Sequence, residues 1–203
     1  MSPDQIQALA WDKQGGLLPA IVQDAGTGRV LMLGYMDRAA LDATLASGRV
    51  TFFSRSKQRL WMKGETSGDV LELVRLEADC DADTLLVQAR PRGPTCHLGR
   101  ESCFPEAPGS FLAELDALVQ ARERGRPAGS YTTSLFEGGV RRIAQKVGEE
   151  GVETALAGVA QEDDALLGEA ADLVFHLTVL LRARGLGLAD VERVLRQRHA
   201  AKR

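Results

Sequence analysis

The chain has three cysteines, Cys80, Cys96 and Cys103, and all of them fall in one short stretch laced with carboxylates. The two strings are Asp79-Cys80-Asp81-Ala82-Asp83 and Gly93-Pro94-Thr95-Cys96-His97-Leu98-Gly99-Arg100-Glu101-Ser102-Cys103-Phe104. Thiolates suit zinc and carboxylates suit magnesium, so the interleaving predicts two different ions held close together. If 79–83 is extended, alternation sets Asp79, Asp81 and Asp83 on one face, where a divalent cation offsets their repulsion, and Cys80 on the other; the alternative is an acidic turn on the surface. Cys96 and Cys103 enclose six residues, a wider gap than the knuckle of structural zinc ribbons. Three thiolates leave a four-coordinate zinc one open position, where a bound water has its pKa lowered toward ~7. His97 completes that shell, serves as a base toward the water, or is an ordinary satisfied loop histidine. The placement of Cys80 also permits a site shared between two chains.

A second candidate region is the basic string from Ser54 to Gly68, with four cations and several hydroxyls between strands. Phosphate recognition asks for these groups: Arg55 and Lys63 supply charge, while Ser56, Thr66, Ser67 and the backbone beside Gly68 supply short donors; a merely polar hairpin fits the same string. Trp61 either stacks on a base or joins the core.

The third region is helical. Glu149 and Glu150 lie four and three residues before Glu153, and Glu169 and Asp172 repeat the three-residue spacing. Like charges so placed weaken a helix by roughly 0.2–0.5 kcal/mol per pair. On a helical wheel Glu150 and Glu153 border their apolar stripe, with Glu149 farther round, and Glu169, Asp172 and His176 border theirs. Two such helices facing each other would pool carboxylates beside a buried seam, as bundle metal sites do. A cage of this kind takes Mg²⁺, which bridges a triphosphate while water displaces pyrophosphate. Lys146, Arg141 and Arg142 lie near enough in sequence to meet phosphate charge.

The elements that must position these groups change character midway. Residues 17–22, 30–36, 50–53, 70–74 and 84–87 are short apolar or alternating runs that predict strands. One helix interrupts them over 38–47, capped by Asp37 and stopped at Gly48. After the Pro/Gly-rich stretch 104–110 everything downstream reads as helix. The expected helices run from 111 to 124, from a capping box at Ser134 to 160, from 164 to 184, and from Asp190 onward. The chain therefore divides into a mainly-β α+β domain over 1–108 and an all-α domain over 109–203.

Composition narrows the function further. With 203 residues, 44% hydrophobic and 26% charged, the chain can bury real cores. A formal charge of −3 without a long basic stripe argues against nucleic acid as the partner. No apolar run approaches the ~18 residues of a membrane span, and the N-terminus lacks signal-peptide features. A cytoplasmic protein with reduced thiols is the expectation, since three cysteines cannot pair completely.

Taken together, these strings resemble a family of bifunctional histidine-biosynthesis enzymes that joins phosphoribosyl-AMP cyclohydrolase to phosphoribosyl-ATP pyrophosphatase. The first half carries the resemblance in Phe53-Ser54-Arg55-Ser56, Trp61 through Gly68, Asp79 through Leu86, and Gly93 through Phe104. The second half carries it in Ser134-Leu135-Phe136, Gln145 through Glu150, Glu153-Thr154 and Glu169 through Leu173. The resemblance implies zinc on Cys80, Cys96 and Cys103 and magnesium on Asp79, Asp81 and Asp83. It also implies a homodimer whose zinc ligands come from both subunits, and a C-terminal bundle like those of nucleotide pyrophosphohydrolases. That bundle would release pyrophosphate from phosphoribosyl-ATP. The first domain would then use zinc-activated water to open the adenine ring at C6, with His97 carrying the proton.

Two residues depart from the family pattern: Phe175 stands where tyrosine is common, and Gly151 where alanine is. Two other readings compete. One is a deaminase-like zinc hydrolase, opposed by the missing His-x-Glu and Pro-Cys-x-x-Cys strings. The other is a zinc-stabilised interaction module fused to a broad-specificity nucleotide pyrophosphohydrolase.

Overall fold

A computed structural model describes residue 1 and residues 3–201. The chain divides into two compact units, Met1–Ser110 and Phe111–Arg203.

The first unit opens with a short helix, α1 (Pro3–Gln7), and a 3-10 turn over Trp11–Gln14, neither of which has a strong sequence signal. A four-stranded sheet follows, built from β1 (Leu18–Asp24), β2 (Val30–Met36), β5 (Leu71–Ala78) and β6 (Leu85–Pro91) in the order β2-β1-β6-β5. The two inner strands pair in parallel, with Ala20 opposite Leu85 and Val22 opposite Val87, and both outer pairings are antiparallel. Alternation accounts for the core: Leu18, Ala20 and Val22 on β1 and Leu85, Val87 and Ala89 on β6 are wholly buried. The expected strands are all present, several of them longer than their apolar runs.

Between β2 and β5 lie α2 (Arg38–Ser47) and a separate hairpin of β3 (Thr51–Ser54) and β4 (Arg59–Met62). Asp37 caps α2 by accepting from the Ala40 N–H at 2.7 Å, and Gly48 closes it. Thr44 ties the helix to β3, accepting from the Thr51 N–H at 2.9 Å. Strand β4 has no apolar run of its own in the sequence, and its pairing with β3 makes the polar string a hairpin. The strand's one cation, Arg59, is exposed, while Trp61 stacks on Phe52 with ring centroids 5.7 Å apart.

Of the two readings of 79–83, extended chain or acidic turn, the structure has the turn. Asp79 Oδ1 accepts from the backbone N–H groups of Asp83 (3.0 Å) and Thr84 (3.1 Å), and Ala82 adopts φ 60°. An Asx-type turn satisfies these amides better than a strand could here, so β5 ends at Ala78. The opposite-face argument for Cys80 is lost with the strand.

The second unit is all helix: α3 (Phe111–Gly125), α4 (Tyr131–Glu137), α5 (Gly139–Ala160), α6 (Asp163–Ala183) and α7 (Leu188–Ala200). The expected helix from 134 to 160 is two helices, because Gly139 takes φ 77° and breaks the chain direction between α4 and α5. Ser130 is the residue that caps α4, while Ser134 sits inside it and donates to the Tyr131 carbonyl. Helix α7 likewise begins at Leu188, two residues before the expected Asp190, whose carboxylate accepts from the Gly187 N–H at 3.0 Å. Helices α5 and α6, joined by two residues, pack as a hairpin. Val119, Leu135, Phe136, Ile143 and Val179 form the core beside it. Asp116 on α3 receives Arg182 of α6 through a two-pronged ion pair at 2.7 and 2.5 Å, and the Leu188 N–H at the start of α7 at 3.2 Å.

Candidate active sites

In the first unit the basic string and the cysteine string close on one another. A cleft of about 590 Å³ is lined by Lys63, Thr66 and Ser67 from one side and by Thr95, Cys96, His97 and Cys103 from the other. Lys63 is buried and joins the two walls: its ammonium donates to the Asp69 carbonyl at 3.0 Å and the Pro94 carbonyl at 3.3 Å. Gly64 makes this possible, for at φ 84° any Cβ there would stand 2.5 Å from the Asp69 backbone. Cys96 is buried and Cys103 lies against it. Burial, and then the neighbouring Cys96, push the Cys103 thiol above its ordinary range. His97 is exposed at the rim.

Arg55 and Ser56 line a neighbouring cleft that shares Met32 and Trp61 with the first, and the Arg55 guanidinium rests 3.8 Å over the Tyr35 ring. Gly68 follows Ser67 just outside the first cleft. Cys80 stands elsewhere, exposed on the turn between β5 and β6.

That turn still gathers Asp79, Asp81 and Asp83, whose ligand atoms lie within 4.8 Å of one another. A residue absent from the sequence reading meets them. Lys13, from the 3-10 turn, donates to Asp81 Oδ2 at 2.6 Å and Asp83 Oδ2 at 3.3 Å. The hydrogen bond from Lys13 holds the Asp81 carboxyl below the usual range. The turn is placed for this by Ala10, whose N–H donates to the Ala82 carbonyl at 2.8 Å.

In the second unit the helical hairpin brings Glu150 of α5 together with Glu169 and Asp172 of α6, again with ligand atoms within 4.8 Å. Glu150 is buried, and Lys146 reaches it at 3.0 Å and Glu149 at 2.9 Å. Hydrogen bonds from Lys146 and then Gln145 hold the Glu149 carboxyl low. Glu153 is shifted the other way, pushed up by partial loss of solvent and then by the charges of Glu169 and Glu150. These are the only two groups of three or more His, Cys, Asp or Glu residues with metal-ligand proximity among the described residues.

Comparison with known proteins accounts for both units. Residues 32–105 match the phosphoribosyl-AMP cyclohydrolase family and residues 112–199 the phosphoribosyl-ATP pyrophosphohydrolase family. "Histidine biosynthesis bifunctional protein HisIE" of Xanthomonas axonopodis pv. citri is 71% identical over 97% of this chain and 95% of its own length. The Xylella fastidiosa (strain Temecula1) protein of that name is 74% identical over 94% and 93%, and the Escherichia coli K12 one 54% over 98% and 99%. The chain belongs to this bifunctional histidine-biosynthesis family.

As a member, this bifunctional hydrolase carries its cyclohydrolase in the first unit and its pyrophosphohydrolase in the second. The interaction-module and deaminase-like readings are thereby set aside. Among the described residues no helix is long and apolar enough to cross a membrane. Sequence reasoning missed three side chains placed beside these candidate groups: Lys13, the buried Thr95 of the cleft wall, and Tyr131, whose hydroxyl lies 3.0 Å from His176 Nε2. No sequence signal marks Lys13 or Tyr131, because their partners lie 68 and 45 residues away.

Proposed function

We propose that the α5–α6 seam hydrolyses phosphoribosyl-ATP to phosphoribosyl-AMP and pyrophosphate, and that the cleft of the first unit then opens the adenine ring of that product. The reading is carried by the meeting, in one cleft, of the donors phosphate needs with the soft donors zinc needs.

Cys96 and Cys103, side by side in the cleft, fit two positions of a zinc shell, and the unpartnered Thr95 hydroxyl beside them leaves a polar group to satisfy. The third thiolate, Cys80, would come from a second copy of the chain, making the working unit a homodimer. Zinc held there would acidify a water for attack on C6 of the ring. His97, exposed at the cleft rim, would be the base that accepts a proton from the attacking water and the acid that returns it to N1 as the C6–N1 bond breaks. Thr66, Ser67, the backbone beside Gly68, Arg55 and Ser56 hold the phosphate and ribose, while Lys63 fixes the two cleft walls and lends its charge. The oxygen-only set Asp79, Asp81 and Asp83 suits Mg²⁺.

In the second unit Glu150, Glu153, Glu169 and Asp172 fit Mg²⁺, with Glu149 at the margin. The Glu153 carboxyl is pushed up by partial loss of solvent and then by the charges of Glu169 and Glu150, and a divalent cation would relieve that second part. Lys146, steadied by Glu149 and Glu150, is aimed at the phosphates. A reducing cytoplasm suits three free thiols.

Mixing inactive Cys80→Ser and Cys96→Ser proteins tests the shared zinc. Random re-pairing restores about a quarter of wild-type ring opening if each site draws on two chains. No restoration after verified subunit exchange would place all three cysteines on one chain.

A further inference from the structure

His176 is buried on α6, yet neither family assignment nor the carboxylate pattern gives it a task. Its Nδ1 lies 2.9 Å from the Asp172 carbonyl oxygen and 3.6 Å from Glu150 Oε1. Both neighbours are acceptors, so Nδ1 carries a hydrogen whatever the state of the ring. Nε2, on the opposite side, is met by the Tyr131 hydroxyl at 3.0 Å, a group able to donate or accept. The rings of Tyr131 and Phe175 stand edge-on to the imidazole, with centroids at 6.0 and 5.2 Å, which leaves it no room to turn over.

Glu150 meets the polar edge of the imidazole at 3.6 Å, an electrostatic contact longer than a hydrogen bond, while the Nδ1 hydrogen itself goes to the Asp172 carbonyl. Glu150 Oε1 is drawn by the flexible Lys146 ammonium at 3.0 Å, and the rigid imidazole approaches the same oxygen from the protein side. Tyr131 begins α4, His176 belongs to α6 and Glu150 to α5, so one chain of polar contacts runs through three helices to the acidic seam. Carboxylates that hold metals are commonly oriented by partners of this kind.

We propose that Tyr131 and His176 are positioning residues for the pyrophosphohydrolase: the tyrosine hydroxyl locks the imidazole, and the imidazole holds Glu150 in the orientation that receives the divalent cation. The proposal rests on the reading that Glu150 is a metal ligand.

The test is Mn²⁺ binding to the full chain, followed by the paramagnetic signal of free Mn²⁺. Asp81→Asn and Asp83→Asn are present in every sample to silence the turn of the first unit. The Mg²⁺ concentration for half-maximal pyrophosphate release is a second readout. Tyr131→Phe is expected to weaken both several-fold without changing the helical circular dichroism. His176→Leu should weaken them about 10–100-fold, and His176→Asn, whose amide can replace the Nδ1 hydrogen, should recover most of that loss. Tyr131→Phe with wild-type Mn²⁺ affinity overturns the proposal, including the case in which it only lowers the melting temperature. Glu150→Gln serves as the control, since unchanged Mn²⁺ binding in that variant would mean the metal reading itself fails.

Discussion

Individual side chains divide into those whose partners are near in sequence and those whose partners are not. The seam carboxylates belong to the first kind, and their ionisation predicts a pH dependence. Glu149, held low mainly by Lys146, contributes stability that is full above the ordinary carboxyl range and is lost as pH falls through its folded value. Glu153, pushed up, does the reverse: its contribution is present below the unfolded value and lost as pH rises through the folded one. Near neutrality the metal-free seam therefore holds unrelieved negative charge, which a cation offsets only when the carboxylates are ionised. Mg²⁺ should raise the melting temperature at about pH 7 and much less at about pH 4. Glu153→Gln should raise the metal-free melting temperature at neutral pH and shrink the Mg²⁺ gain. Thermal melts with and without Mg²⁺ check both. Asp79, Asp81 and Asp83, and Glu169 with Asp172, were legible because their spacing is local, and Glu150 because it borders the apolar stripe of the facing helix. Tyr131 and Lys13 were not, because nothing in their own neighbourhoods names a partner on another element.

Secondary-structure elements were legible where hydrophobic period and cap agree, as in α2 with Asp37 and Gly48, and illegible where a local side chain competes with the pattern. At 79–83 the alternation of Asp with other residues left extended chain and acidic turn both open, and the Asp79 carboxylate decides for the turn by capturing two backbone amides. At 134–160 a continuous apolar stripe conceals the break at Gly139. The hairpin also answers the question raised by Gly151. A Cβ there would meet only Leu173 Cδ1, at 4.0 Å, so the glycine is not needed for close packing. Gly151→Ala is expected to stabilise the second unit by up to ~1 kcal/mol, read as a higher denaturant midpoint. The Asp116–Arg182 pair should behave oppositely. Asp116→Ala leaves a mostly buried guanidinium and the Leu188 N–H without their acceptor, a change that costs about 3–5 kcal/mol. Equilibrium unfolding of the variant, monitored by helical circular dichroism, measures it.

Across the whole chain, the division into a β-rich and a helical half is visible in composition, since Ala, Leu, Glu and Arg take over after 104–110. The parallel pairing of β1 with β6 is not, because its register depends on contacts between strands more than sixty residues apart. Nor does the sequence show that the basic and cysteine strings face each other, which depends on the closure of Lys63 on Asp69 and Pro94. Each unit holds its own candidate site on its own core, so the two chemistries should be separable. Zinc removal by a thiol-selective chelator is expected to abolish ring opening and spare pyrophosphate release, measured with Mg²⁺ restored.

The most direct measurement supplies phosphoribosyl-ATP and Mg²⁺ to wild type, Glu150→Gln and Cys96→Ser and follows pyrophosphate and the ring-opened product separately. Glu150→Gln should lose pyrophosphate release yet still open supplied phosphoribosyl-AMP, and Cys96→Ser should release pyrophosphate and accumulate phosphoribosyl-AMP. Loss of both activities in either variant, with the fold intact, would contradict two independent sites placed on these residues.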